Sequence, residues 1–481
     1  MNIDVPGFAA GQRLPVVAEL PRLPLTNPAD GSALGTLPDA DAAYVDCVVQ
    51  DAAKSFALHR RSTTAQRMAW LEAFAVQVSA HSGPLIESIV RGIGKPRKAA
   101  TFEAGRVSDF LRACIAELSV WRGELLPVDA APLGAGHLGM ARRIPFGVVG
   151  AITPFNAPAN LLIQKVAPAL AAGNAVVVKP HPAGTETALL LAELAIAAGL
   201  PPGLFNVVPG DRAAALALAA HPQVSVVTLT GGVAAAQALT RAAGAKKFSA
   251  ELGSNAANLV LADANIADAA QKIARAGFEA SGQQCISAQR VIVEAPVFDL
   301  FLTQFVAAAK NLKVGLPETP GVDVGPMVSE AAAQRVMQMF NDSVAAGAHV
   351  ALAPVRDRAV VSPGILVDAP KGARLLCEEA FGPVVVVQRA ANLEDALRQA
   401  NDSEFGLQGA CFTSSLDTAL HVADAFDAGA LWINEASRFR LDMYPFGGVK
   451  QSGWGREGVR YAMEEVSQFK FVGINFSGTQ S

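Results

Sequence analysis

Through the middle of the chain, short runs apolar on both faces alternate with longer stretches of helical spacing. "FGVVGAI" (146–152) and "NAVVVKP" (174–180) are runs of the first kind. "LLIQKVAPALAAG" lies between them and closes on Gly173, and "TETALLLAELAIAAG" follows and closes on Gly199. "LFNVVPG" and "VSVVTLTGG" repeat the strand signal, and "VAAAQALTRAAG" repeats the helical one. This alternation predicts a parallel sheet covered on both faces. Such sheets bind ligands at the carboxyl ends of their strands.

The pattern then restarts. "NLVLADANIADAAQKIARAGFEAS" reads as strand, turn and helix, and "PVVVVQRA", "NLEDALRQAND" and "GALWIN" continue a second α/β domain over 252–434. Upstream, Val107, Phe110, Leu111, Cys114, Ile115 and Leu118 recur at helical spacing and predict a long amphipathic helix over 97–123. The closing "SQFKFVGINF" reads as a strand with no later partner in the chain. An unpaired terminal strand predicts pairing between subunits.

Composition narrows the class. A chain of 481 residues is too long for one core and predicts two or three domains. Half of it is apolar, with few aromatic residues, which suits a compact α/β enzyme. A net charge of −4 without a long basic run argues against nucleic acid as a partner. Cys47, Cys114, Cys285, Cys377 and Cys411 form no C-x-x-C pair, which argues against a zinc site or a disulfide framework and suits a reducing cytoplasm. The N-terminus shows no basic segment leading into an apolar one, and the apolar run "ALLLAELAIAAGL" is short and holds Glu193. Neither a signal peptide nor a membrane span is expected.

The candidate chemistry clusters at predicted strand ends and in Gly/Pro-rich loops. "AITPFNAPAN" sets Asn156 in a stiff loop, "VVVKPHP" ends a strand on Lys179, and "AELGSN" ends another on Glu251. "LTGGVAAAQ" is a Gly-Gly turn opening a helix, suited to placing amides near a phosphate. "SGQQCISAQR" carries Cys285, which is either a nucleophile or a small core residue.

The motifs "PFGVVGAITPFN", "AGNAVVVKP", "PPGLFNVVPG", "TLTGG", "ELGSN", "GQQC", "EEAFGPV" and "PFGGVKQSGWGREG" occur in that order. In them the chain resembles the aldehyde dehydrogenase superfamily from about Pro28 to Phe471. The resemblance implies a Rossmann-like dinucleotide-binding domain (1–123 and 142–251, with 446–464 returning to it) and an α/β catalytic domain (252–434). It also implies a small β oligomerisation element (124–141 and 465–481) and a homodimer or homotetramer. Cys285 matches the nucleophile, Asn156 an oxyanion donor and Glu251 the general base. Lys179, Gly231, Gly232, Glu379, Phe381, Thr153 and Pro154 match the dinucleotide site, and no metal is implied. The reaction implied is NAD- or NADP-dependent oxidation of an aldehyde to its acid, through a thiohemiacetal and a hydrolysed thioester.

Three departures bear on specificity. A second turn glycine is replaced by Ala236, and the ribose-binding glutamate of many NAD-preferring members by Pro182, beside His181; losing that carboxylate makes NADP permissible. Ser287 stands where a small residue such as alanine is common. "CISAQR" and "ELGSN" resemble the lactaldehyde, phosphonoacetaldehyde and non-phosphorylating glyceraldehyde-phosphate dehydrogenase branch.

Arg106 and Arg440 would together grip an anionic tail on a short aldehyde. Alternatively, Arg106 pairs with Glu103 or Asp109 on its own helix, and Arg440 with Asp442. A CoA-acylating semialdehyde dehydrogenase usually lacks the Glu251 carboxylate, and a cysteine hydrolase or acyltransferase would need a histidine beside the thiol.

Overall fold

The computed structural model describes residues 3–15 and 19–476. Five parallel strands form the centre of an eight-stranded sheet: Val148–Thr153, Ala175–Pro180, Phe205–Val207, Val224–Thr230 and Lys247–Glu251. Numbered by sequence, these five lie in the order 3-2-1-4-5, so the order reverses between Val148–Thr153 and Val224–Thr230. A crevice therefore opens at the carboxyl ends of those two strands. Helix Asn160–Ala172 crosses the sheet with every residue buried. Gly173 ends it in a left-handed conformation that L-residues with a side chain rarely adopt.

The second sheet has seven strands, in the order His349–Leu352, Gly364–Val367, Val384–Ala390, Ala288–Glu294, Ala256–Val260, Gln408–Phe412 and Ala430–Ile433. All pair in parallel except the edge strand His349–Leu352. The segment Gly453–Trp454 returns to the first sheet beside Lys247–Glu251, which brings the loop before it over the crevice.

Two expectations change. The long helix spans Arg97–Ser119, shorter than the 97–123 expected, because the chain turns at Val120 ahead of Gly123. The terminal strand Ser467–Asn475 does have a partner in its own chain, but an earlier one: it pairs antiparallel with His137–Pro145 over its whole length. Glu124–Leu126 completes this third sheet. No further strand pairs with the far edge of Ser467–Asn475 among the described residues, and Phe469 and Phe471 in this strand are exposed.

Candidate active site

Cys285 lies in the loop between a 3-10 turn, Glu279–Gly282, and strand Ala288–Glu294. The chain reaches it through three consecutive left-handed residues, Ala280, Ser281 and Gly282, at φ 54°, 60° and 63°. That strain is held by bonds on every side. Ser281 Oγ donates to Gly325 O at 2.8 Å, Gln283 Oε1 accepts from Val328 N at 3.0 Å, and Gln284 Oε1 accepts from Arg438 Nε at 2.7 Å. Ser437 Oγ donates to the carbonyl of Ile286 at 3.0 Å. The backbone N–H of Cys285 has no hydrogen-bond partner among the described residues. Burial pushes the thiol up to about 12; Arg440 opposes that shift, while Glu379, Glu251 and Glu457 add to it. Ser287 is buried, and its hydroxyl makes no bond.

Glu251 ends strand Lys247–Glu251 and is 2% exposed, yet neither carboxylate oxygen has a partner. Burial pushes its carboxyl well above the usual range and Glu457 adds to that, against Arg440, Lys165 and Arg456. Gly447 backs the carboxylate so closely that a Cβ there would lie 2.9 Å from Oε1.

Asn156 stands in the loop 154–159, just past the strand end at Thr153. It is buried, and its side chain makes no hydrogen bond among the described residues. Two amide donors, those of Asn156 and of the Cys285 backbone, are thus without acceptors among the described residues.

Of the residues expected at the dinucleotide, Thr153, Lys179 and the turn at Gly231 and Gly232 stand at strand ends of the first sheet. Lys179 is 5% exposed and has neither a hydrogen bond nor an ion pair among the described residues. Burial lowers its ammonium to about 8. An orphaned buried cation beside a strand end fits a ligand rich in hydroxyl and phosphate oxygens. Gly231 donates to the carbonyl of Glu251 at 3.0 Å, and Gly232 caps helix Val233–Ala243 with open space where a Cβ would stand. The Ala236 methyl is buried within that helix. Thr153 accepts from His181 N at 2.9 Å, and Pro154 follows it into the crevice loop. Phe381, at φ 48°, packs edge-on against Phe155 at 5.8 Å, and Phe155 in turn meets His181. Glu379 accepts from Ser254 N at 2.9 Å through Oε1, and burial raises its carboxyl to about 7. These residues fit NAD or NADP. Pro182, at the start of a 3-10 turn, offers no carboxylate to the ribose.

Both arginines have partners other than those weighed from sequence. Arg106 Nη2 bonds Asp442 Oδ1 at 2.5 Å, and Arg440 Nη2 bonds Glu457 Oε2 at 2.8 Å. Glu457 also takes Lys165 Nζ at 2.9 Å, and Lys165 reaches Thr228 Oγ1 at 3.1 Å. Glu457 and Lys165 did not emerge as candidates from sequence. The available signal was a lysine inside an otherwise apolar helix, since a wholly buried lysine needs a partner. Among the described residues, no group of acidic, histidine and cysteine side chains could hold a metal ion. None of their helices is long and apolar enough to cross a membrane.

The aldehyde dehydrogenase family model matches residues 17–472. Aspartate-semialdehyde dehydrogenase 1 of Pseudomonas canavaninivorans is 35% identical over 97% of this chain and 99% of its own. Sulfoacetaldehyde dehydrogenase of Neptuniibacter caesariensis is 33% identical over 94% and 99%. The NADP-dependent glyceraldehyde-3-phosphate dehydrogenase of Bacillus halodurans, solved with NADP, superposes with a TM-score of 0.96 at 29% identity, over 99% of this chain and 100% of its own. A match across nearly the whole chain and on this fold leaves one conclusion: the chain belongs to the aldehyde dehydrogenase family and is an NAD(P)-dependent aldehyde oxidoreductase.

Proposed function

We propose that the enzyme oxidises a short aldehyde with an anionic tail to its carboxylic acid, with Cys285 as nucleophile and Glu251 as base. The observation that carries the reading is Glu251 itself. A buried carboxylate with two unpartnered oxygens is costly, and it persists where a water or a thiol has to be deprotonated.

The Cys285 thiolate adds to the aldehyde carbon, and the oxyanion formed takes hydrogen bonds from the Asn156 amide and the Cys285 N–H. When bound, the nicotinamide supplies the acceptor for the hydride that leaves this carbon. Glu251 then takes a proton from the water that attacks the thioester, and the Cys285 thiolate leaves. Lys179, Gly231 and Gly232 would hold the adenosine and pyrophosphate end of the dinucleotide, and Glu379, Phe381, Thr153 and Pro154 the nicotinamide end.

The anionic tail is supported by Arg106, which spends one nitrogen on Asp442 and remains about one-fifth exposed. The relatives named above act on aldehydes bearing a carboxylate, a sulfonate or a phosphate. Arg440 is the second cation of this region. The open edge of Ser467–Asn475, with Phe469 and Phe471, supports a homodimer or homotetramer, and unpaired cysteines suit the cytoplasm.

Comparing kcat/KM for sulfoacetaldehyde and for a neutral aldehyde of equal length, in wild type and Arg106→Ala, tests the substrate class. A selective loss for the anion is expected. An equal loss for both substrates would sink the anionic-tail reading while leaving the chemistry in place.

A further inference from the structure

Helix Asn160–Ala172, which follows the Asn156 loop, opens without a side-chain cap of its own. Its cap comes from a distant part of the chain. Glu103, in helix Arg97–Ser119, accepts from Ala159 N at 2.9 Å and from Asn160 N at 3.2 Å, both through Oε1. The other oxygen pairs with Lys95. Glu103 is 3% exposed and Lys95 7%. Lys95 also lines, together with Asn156, Ser281 and Gln283, a small cavity between the Asn156 loop and the Cys285 loop.

A serine, threonine or aspartate at 157, whose carbonyl already accepts from Leu161 N, would cap the same amides at the surface of the helix, without burying charge. Two buried charges are a costly substitute, and a pair of this kind is weak evidence for stability. The arrangement does one thing a local cap would not. It ties the far end of the Asn156 loop to helix Arg97–Ser119, while the near end is fixed by the sheet at Thr153.

We propose that Glu103, held by Lys95, is a positioning residue that keeps the Asn156 amide where the oxyanion forms. The proposal rests on the reading of Asn156 as an oxyanion donor. Glu103 is buried, and its side-chain oxygens are taken by Ala159 N, Asn160 N and Lys95, so its effect must pass through the Asn156 loop.

The test is a double-mutant cycle on kcat, with the rate of Cys285 alkylation by iodoacetamide, which forms no oxyanion, as the second readout. Glu103→Leu should lower kcat about 10- to 100-fold, the scale of an angstrom's misplacement or a weakened oxyanion donor. KM and the alkylation rate should stay near wild type. In an Asn156→Ala background, the same Glu103→Leu change should add almost nothing to the loss, because the two residues act as a unit. Glu103→Gln in a Lys95→Met background removes both buried charges and keeps an acceptor for the two amides, so it should recover much of the kcat lost in Glu103→Leu. Multiplicative losses in the Asn156→Ala background, or a parallel loss of alkylation, would overturn the proposal. An Asn156→Ala enzyme with wild-type kcat would instead overturn the oxyanion reading, and the proposal with it.

Discussion

Arg440 donates through Nη2 to Oε2 of Glu457 at 2.8 Å, and the two side chains are only 10% and 5% exposed. Lys165 takes the other oxygen of the same carboxylate, so Glu457 is shared by two cations. Arg440 also lies over the ring of Phe446, with its guanidinium carbon 3.8 Å from the centroid. Its charge acts on both Cys285 and Glu251, and the shared Glu457 links it to their protonation states.

Burial alone would push the Glu457 carboxyl up, but Lys165 and Arg440 outweigh it and hold the group down at about 2. A carboxylate depressed on folding adds stability that is present above its ordinary 4.5 and is lost as pH falls towards 2. Glu457→Gln leaves two buried cations facing a neutral amide and should cost about 3–5 kcal/mol. Calorimetry across the acid range checks both points. A variant as stable as wild type, with an unaltered acid limb, would contradict this charge balance.

Glu251→Gln should keep the first hydride transfer and lose steady turnover by about 10²–10⁴-fold, the usual contribution of a general base. Stopped-flow detection of reduced nicotinamide should then show a burst equal to the enzyme concentration, followed by a slow phase. Because burial and Glu457 keep the Glu251 carboxyl protonated well above the ordinary range, wild-type deacylation should rise with pH beyond it. Absence of a burst in the variant would mean that Glu251 is needed before the thioester forms.

Without dinucleotide, alkylation of Cys285 should grow about tenfold per pH unit from roughly pH 7 to 10, because this half-buried thiol, pushed by desolvation to about 12, has not begun to level off there. Arg440→Met removes the cation that opposes the shift and should slow alkylation at each pH in that range. A plateau near the ordinary thiol value, about 8.5, would show that the resting cysteine is better solvated than its burial implies.

Much of this site was legible because its residues sit where patterns break. Asn156, Lys179, Glu251 and the Gly-Gly turn each follow an apolar run, and the sheet gathers strand ends by rule rather than by chance. The pairings across the chain were not legible. Arg106 meets Asp442 across 336 positions, whereas helical spacing offered only Glu103 and Asp109 on its own helix. Glu103 instead turns inward to cap another helix, and Lys165 meets Glu457 across 292 positions. The partner of the terminal strand was hidden for a similar reason: the strand has no later partner, and the earlier one, His137–Pro145, lies far back in the chain, before the second sheet.

Gly447 offers a test of how closely Glu251 is held. A Cβ at 447 would come within 2.6 Å of the Gly455 carbonyl, 2.7 Å of Arg456 Cδ and 2.9 Å of Glu251 Oε1. The carbonyl belongs to the backbone beside strand Gly453–Trp454, which is paired to the Glu251 strand and has little room to yield. The two side chains are the softer neighbours, so Gly447→Ala should displace Arg456 and Glu251 before the backbone. Overpacking of this sort costs about 1–3 kcal/mol, visible as a lower Tm. The kinetic signature should be selective: a burst of full size, because Cys285 and Asn156 are untouched, and a slower steady state, because the base has moved from its water. A burst reduced in step with turnover would place the damage at the Cys285 loop instead and show that the backbone, not the carboxylate, gives way.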